Sequence, residues 1–230
     1  TLEGEADNDL VYAYGGSDLV TGDTGNDYLF GDFGNDAFDD LGHDTLLAGA
    51  GNDTVEAGAG ADSIDGALGN DSVQGGSGAD TIWGGDGADT VFNSGGGVAG
   101  GGDLVDGGTG DDWLTGSGAA ATVFGGIGND RLGGDVGNDS LQGGEGADTL
   151  SGGPGNDWLD GGIGADSING GGGADTILGG LALGADTIFG GSLLVLDFAG
   201  ATARLSAQPA GIATLATPSQ LLLTLASPGF

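Results

Sequence analysis

Cysteine, methionine and lysine are absent from this chain, and it holds one histidine, two arginines and four prolines in 230 residues. Each shortage removes a class of chemistry. Without cysteine there is neither a disulfide nor a thiolate metal site. Without lysine there is no P-loop, and Arg131 and Arg204 alone cannot make the basic face that a nucleic-acid backbone requires. A single imidazole excludes an HExxH zinc site and any Ser/His or Cys/His nucleophile; His43, just before Asp44, is expected to be a solvated turn residue. No apolar run reaches the ~18 residues of a membrane span, and no basic stretch followed by an apolar one marks a cleavable leader.

What is abundant is glycine, 58 residues, and acid, 35 Asp plus Glu, giving a formal charge of -33. By composition alone such a chain reads as disordered. Its order argues otherwise. Residues 143 to 178 read GGEGADTLS, GGPGNDWLD, GGIGADSIN and GGGGADTIL, one nine-residue unit with glycine at positions 1, 2 and 4, aspartate at 6 and an aliphatic residue at 8. Extended both ways, position 6 falls at Asp9, Asp18, Asp27, Asp36, Asp44, Asp53, Asp62, Asp71, Asp80, Asp89, Asp103, Asp112, Asp130, Asp139, Asp148, Asp157, Asp166, Asp175 and Asp186, with Ala121 the one exception among twenty copies. Position 8 is aliphatic or Phe in every copy, from Val11 to Ile188, with Phe38 the aromatic. Disorder does not demand an apolar residue at one place in every repeat. A fixed period of this kind marks a solenoid.

Each unit divides into a six-residue turn, GGxGxD, and a three-residue strand whose middle side chain faces inward. The turn glycines allow positive φ or a close backbone approach, and Asn at position 5 in eight copies suits the left-handed region; Ala holds that position in eight others. Because each turn reverses the chain, two units close one coil of eighteen residues. The expected fold is all-β, a right-handed parallel β-roll or β-helix with two facing sheets, spanning residues 1–190 and on the order of 48 Å long.

A core one side chain thick, carrying this much like charge, needs a cationic staple. The donors on offer are carboxylates and turn carbonyls, all oxygen, which suits a hard divalent ion; Ca²⁺ takes six to eight oxygens in forgiving geometry, whereas Mg²⁺ insists on a tight octahedron. Residues 4 to 190 match GGxGxDxUx and so resemble the RTX family of type I secreted bacterial proteins. The resemblance implies multiple Ca²⁺ ions between turns of successive coils, held by position 6 carboxylates and turn carbonyls from copies two apart. Carried over, it pairs Asp62 with Asp80, Asp71 with Asp89, Asp139 with Asp157, Asp148 with Asp166 and Asp157 with Asp175, and makes every position 6 aspartate named above a candidate metal ligand. No catalytic residue stands out, and the chain is expected not to be an enzyme in itself.

The pattern breaks near residues 37–44, where one residue is missing from the frame, near 93–102, where five are inserted, and near 181–183, where two are. Ala121 also removes a carboxylate, and sites beside these breaks are expected to be weak or empty. Outward-facing Thr and Ser at position 7 form hydroxyl ladders, interrupted by Trp113, Arg131 and Trp158; β-propensity accounts for them. Residues 191–230 turn apolar and nearly uncharged, and form a candidate C-terminal cap or secretion-signal segment. The resulting expectation is a calcium-folded extracellular module that aids export and folding, with calcium and the type I secretion machinery as partners. The alternatives are a subunit of a surface layer or filament that self-associates end to end, or the tail of a hydrolase or toxin.

Overall fold

The computed structural model describes residues 1–32, 42–92, 102–116, 118, 120–180 and 186–190, and beyond these the backbone of strands Leu193–Phe198, Arg204–Ala207 and Ala213–Leu215. It is a parallel β-solenoid of two sheets, with no helix among the described residues. Alternate strands in chain order enter alternate sheets, one of twelve strands and one of eleven, and every strand pairs in parallel with the strand two further along. The reason is the period itself. A reversal after every unit sends consecutive strands to opposite faces and returns the third onto the first.

The register follows the apolar column. Leu46 pairs with Ile64 and Ile64 with Ile82 in the first sheet, while Val55 pairs with Val73 and Leu150 with Ile168 in the second. Every described member of position 8 is buried, most of them fully, so the core is one aliphatic side chain from each sheet. Phe38 lies outside the described residues.

The strands are longer than the three residues expected. Throughout the first sheet from Leu19 to Ile163, and in much of the second, they run for six, as in Ser63–Leu68 and Thr149–Pro154, because positions 1 to 3 stay in the ladder. Position 1 faces inward beside the aliphatic residue, which restricts it to small residues such as Ala48 and Ala57, both fully buried. Position 2 takes φ near +100°, for example Gly58 at 113° and Gly171 at 90°, a region costly for any residue with a Cβ. In the second sheet the strand stops at three residues where position 2 is Tyr14, Asp32 or Asp135, and runs on where it is Gly58, Gly76, Gly153 or Gly171.

Two breaks leave the register intact. Asp80 and Asp103 are 23 residues apart, yet Ile82 still pairs with Val105, with residues 93–101 lying outside the described ones. Across 181–185, also outside, Ile168 pairs with Ile188. The first break differs from its reading as a missing residue. Leu19–Thr24 pairs directly with Thr45–Ala50, and Tyr28–Phe30 with Thr54–Ala59, so partners stand 26 residues apart instead of 18. The eight additional residues fall between Asp32 and Gly42, outside the described residues. Both sheets also continue past residue 190, since Leu193–Phe198 pairs with Ala174–Gly180 and Arg204–Ala207 with Thr187–Gly190.

Candidate metal centres

The solenoid has two edges, each a stack of turns, and position 6 closes every turn. On the edge leading from the first sheet to the second stand Asp9, Asp27, Asp53, Asp71, Asp89, Asp112, Asp130, Asp148, Asp166 and Asp186. The opposite edge holds Asp18, Asp44, Asp62, Asp80 and Asp103, then Ala121, then Asp139, Asp157 and Asp175. Asp36 lies outside the described residues, and the rows join across it. The carboxylates are turned into the edge; from Asp44 to Asp186 every one is at most 3% exposed.

What positions them is a hydrogen-bond chain along each edge. The backbone N–H of one aspartate donates to Oδ1 of its counterpart in the next coil: Asp53 to Asp71 at 2.8 Å, Asp71 to Asp89 at 2.8 Å and Asp112 to Asp130 at 2.9 Å on the first edge. Asp44 to Asp62 at 2.8 Å, Asp62 to Asp80 at 3.0 Å and Asp139 to Asp157 at 2.9 Å do the same on the second. All five carboxylate pairs expected from the repeat are neighbours in these chains.

The other oxygen is the one that matters chemically. Oδ2 of Asp53, Asp62, Asp71, Asp112, Asp148 and Asp166 is buried with no hydrogen-bond partner, a costly state for a polar atom. At Asp71, Asp112, Asp148 and Asp166 glycine at position 1 keeps the space beside it open, whereas Asp53 and Asp62 have Ala48 and Ala57 at that position. A Cβ on Gly84 would stand 2.6 Å from Asp89 Oδ2 and 2.7 Å from the carbonyl oxygen of Gly107 in the next coil; on Gly66 it would meet Asp71 Oδ2 at 2.7 Å and the Gly84 carbonyl at 2.5 Å. Carboxylate and peptide oxygens therefore converge where a side chain would otherwise sit.

Burial is the main cause that raises the pKa of these carboxyls. The N–H donated by the preceding coil opposes it, and neighbouring carboxylates add to it: Asp62, Asp71, Asp112 and Asp166 are pushed up to about 7, Asp139 and Asp148 to about 6. No described basic side chain is hydrogen-bonded to either row. Among the described residues no three acidic or imidazole groups converge on one point, so a cation here completes its shell with peptide oxygens. Orphaned carboxylate oxygens, carbonyls alongside and uncompensated charge together fit a hard divalent ion, and among such ions the flexible oxygen shell of Ca²⁺.

A second ladder escaped the reading of the repeat. No described Asn at position 5 has positive φ. Its side chain instead accepts the N–H of position 5 one coil on: Asn26 donates to Asn8 Oδ1 at 3.0 Å, Asn52 to Asn26 at 2.7 Å, Asn70 to Asn52 at 2.8 Å and Ala88 to Asn70 at 2.7 Å. That explains why Ala serves at eight of the twenty positions, since the acceptor comes from the preceding coil. His43 belongs to the same ladder, for its Nδ1 lies 3.0 Å from the Ala61 N–H. The run of Asn8, Asn26, Asn52 and Asn70 at position 5 along one edge was the available signal. The three tryptophans do face outward, Trp83 and Trp158 on the first sheet and Trp113 on the second, the last edge-on to Phe92 at 5.4 Å.

The fold is a two-edged parallel β-solenoid whose turns carry rows of buried carboxylates. The family model of RTX calcium-binding nonapeptide repeats matches nearly the whole repeat region, over residues 3–38, 38–73, 68–97, 99–132, 124–159, 133–168, 151–182 and 166–192. The chain belongs to that family, whose repeats are structural calcium-binding modules of secreted proteins. No curated protein matches it.

Proposed function

We propose that this chain is a calcium-folded extracellular β-roll of a secreted bacterial protein, non-catalytic in itself, whose metal-dependent folding aids export and stability outside the cell. The observation that carries this reading is the pair of carboxylate rows, in which Asp53, Asp62, Asp71, Asp112, Asp148 and Asp166 each have one oxygen satisfied by backbone N–H and the other left for a cation. The position 6 aspartates from Asp9 to Asp186 are the ligands of this reading, apart from Asp36, past which Asp18 pairs with Asp44 and Asp27 with Asp53, and turn carbonyls complete each shell. When bound, calcium supplies the positive charge and oxygen coordination that the buried carboxylates lack. In a metal-poor cytoplasm a charge of -33 keeps the chain expanded and exportable through a type I channel; outside, ion binding becomes folding free energy. Residues 191–230 are the proposed cap or signal segment.

Far-UV circular dichroism of chelator-treated protein during a calcium titration, with magnesium as control, tests this. The expected outcome is a cooperative gain of β signal with calcium alone. A chain already folded in chelator, or ordered equally by magnesium, overturns the switch. Fibres seen by microscopy in calcium would move the reading to a surface-layer or filament subunit.

A further inference from the structure

The turn ending at Ala121 lacks the carboxylate that its neighbours carry at position 6, and Ser117 and Ala119, which stand where glycine is usual, lie outside the described residues. Its backbone holds the usual place: the Ala121 N–H donates to Asp139 Oδ1 at 2.8 Å, its carbonyl accepts from Ser140 at 2.9 Å, and Gly116 donates to the Gly133 carbonyl at 2.8 Å. The side chain is where the difference lies. A Cβ on Gly116 would stand 2.5 Å from the Ala121 methyl, whereas on Gly125, across the roll, it would stand 2.5 Å from Asp130 Oδ2. An apolar carbon thus fills the place that elsewhere holds the unpartnered carboxylate oxygen, and Ala121 is 2% exposed.

The consequence reaches two inter-coil gaps. A position 6 residue faces the coil before it and the coil after it, so both the Asp103–Ala121 gap and the Ala121–Asp139 gap keep one carboxylate instead of two. On the opposite edge the same coils carry Asp112, Asp130 and Asp148 without interruption. We infer that the turn ending at Ala121 folds without a cation and divides the second edge into two separate calcium rows, Asp18 to Asp103 and Asp139 to Asp175, beside a continuous row on the first. This rests on the calcium reading above. Asp139 then serves one ion, while Asp148, inside an unbroken row, serves two.

Bound calcium per chain, measured by equilibrium dialysis on full-length chelator-treated and reloaded protein, with circular dichroism as the check of folding, decides the matter. Asp148→Asn should lose about two ions and Asp139→Asn about one, and Ala121→Asp should gain about one or two. Equal losses at Asp139 and Asp148 overturn the inference, and so does a folded Ala121→Asp that gains none. Should Ala121→Asp fail to fold, the ratio of the two Asn variants decides alone. A wild-type chain that binds no calcium overturns the calcium reading itself, recognisable because every variant then binds none.

Discussion

The two edges of the roll are built from the same nonapeptide, yet one is regular from Asp9 to Asp166 and the other is interrupted three times within that stretch. From Asp9 to Asp166 the first edge keeps turns of uniform length, and its position 5 ladder runs through Asn8, Asn26, Asn52 and Asn70 without a gap. The second edge carries the eight extra residues before Asp44, the five before Asp103 and the alanine turn at Ala121. Second-sheet strands shorten to three residues where they feed its irregular turns, as at Tyr28–Phe30, Thr90–Phe92 and Trp113–Thr115. One intact edge is enough to hold the register, because each coil needs only one fixed turn to place both of its strands. The opposite edge is then free to vary.

Core truncation gives the largest expected effect and sharpens that contrast. Leu141→Ala, in the six-residue strand Ser140–Glu145, and Leu132→Ala, in the three-residue strand Arg131–Gly133, should each cost about 2 to 5 kcal/mol. Leu132→Ala should fall at the lower end, because the strand it sits in is less constrained and can collapse into the cavity. Denaturant unfolding in saturating calcium measures both.

Acid comes next. The buried carboxyls titrate at 3.8 when unfolded and near 6 to 7 in the metal-free fold at Asp62, Asp71, Asp112, Asp166, Asp139 and Asp148. Between those values the folded chain binds more protons than the unfolded one, so metal-free stability is greatest below about pH 4 and is lost as pH rises through about 6 to 7. Chelator-treated protein should therefore gain β signal when taken from pH 8 to pH 5. With calcium present the trend reverses, since protons compete for the same oxygens. Loss of β signal on acidifying the chelator-treated protein would contradict the buried rows.

A smaller effect is expected on the regular edge, where Ala67 holds position 2 at φ 71°. Ala67→Gly should raise stability by about 1 kcal/mol by relieving a left-handed residue, read as a higher denaturation midpoint. The smallest is expected from deleting residues 34–41. This leaves Gly31, Asp32, Phe33, Gly42, His43 and Asp44 as a six-residue turn and restores the eighteen-residue spacing to Asp18. A change under about 1 kcal/mol, with an unchanged spectrum, is the expected result. Collapse of cooperative folding would place the copy containing Asp36 inside the roll and end the distinction between the edges.

Much of this was legible in the repeat. The apolar column marked the core from Val11 to Ile188, and the resemblance to the RTX family implied the carboxylate neighbours Asp62–Asp80 and Asp148–Asp166. Three features were not legible. Strand length depends on whether position 2 stays in the ladder, which a turn-and-strand parse of GGxGxD cannot show. The Asn ladder needs the neighbouring coil as acceptor, and nothing within one copy reveals it. Around Asp36 and Asp44 two copies fit the frame equally well.

The sequence by itself determined the period, the two-sheet coil and the oxygen-only chemistry of its edges, because those are local properties repeated in every nine residues. Only the tertiary structure decided which copies stack, since the choice between Asp36 and Asp44 depends on pairing with Asp18 and Asp62 in adjacent coils. It also decided which carboxylate oxygen is spent on backbone N–H and which is left over, because both fates depend on an atom eighteen or more residues away.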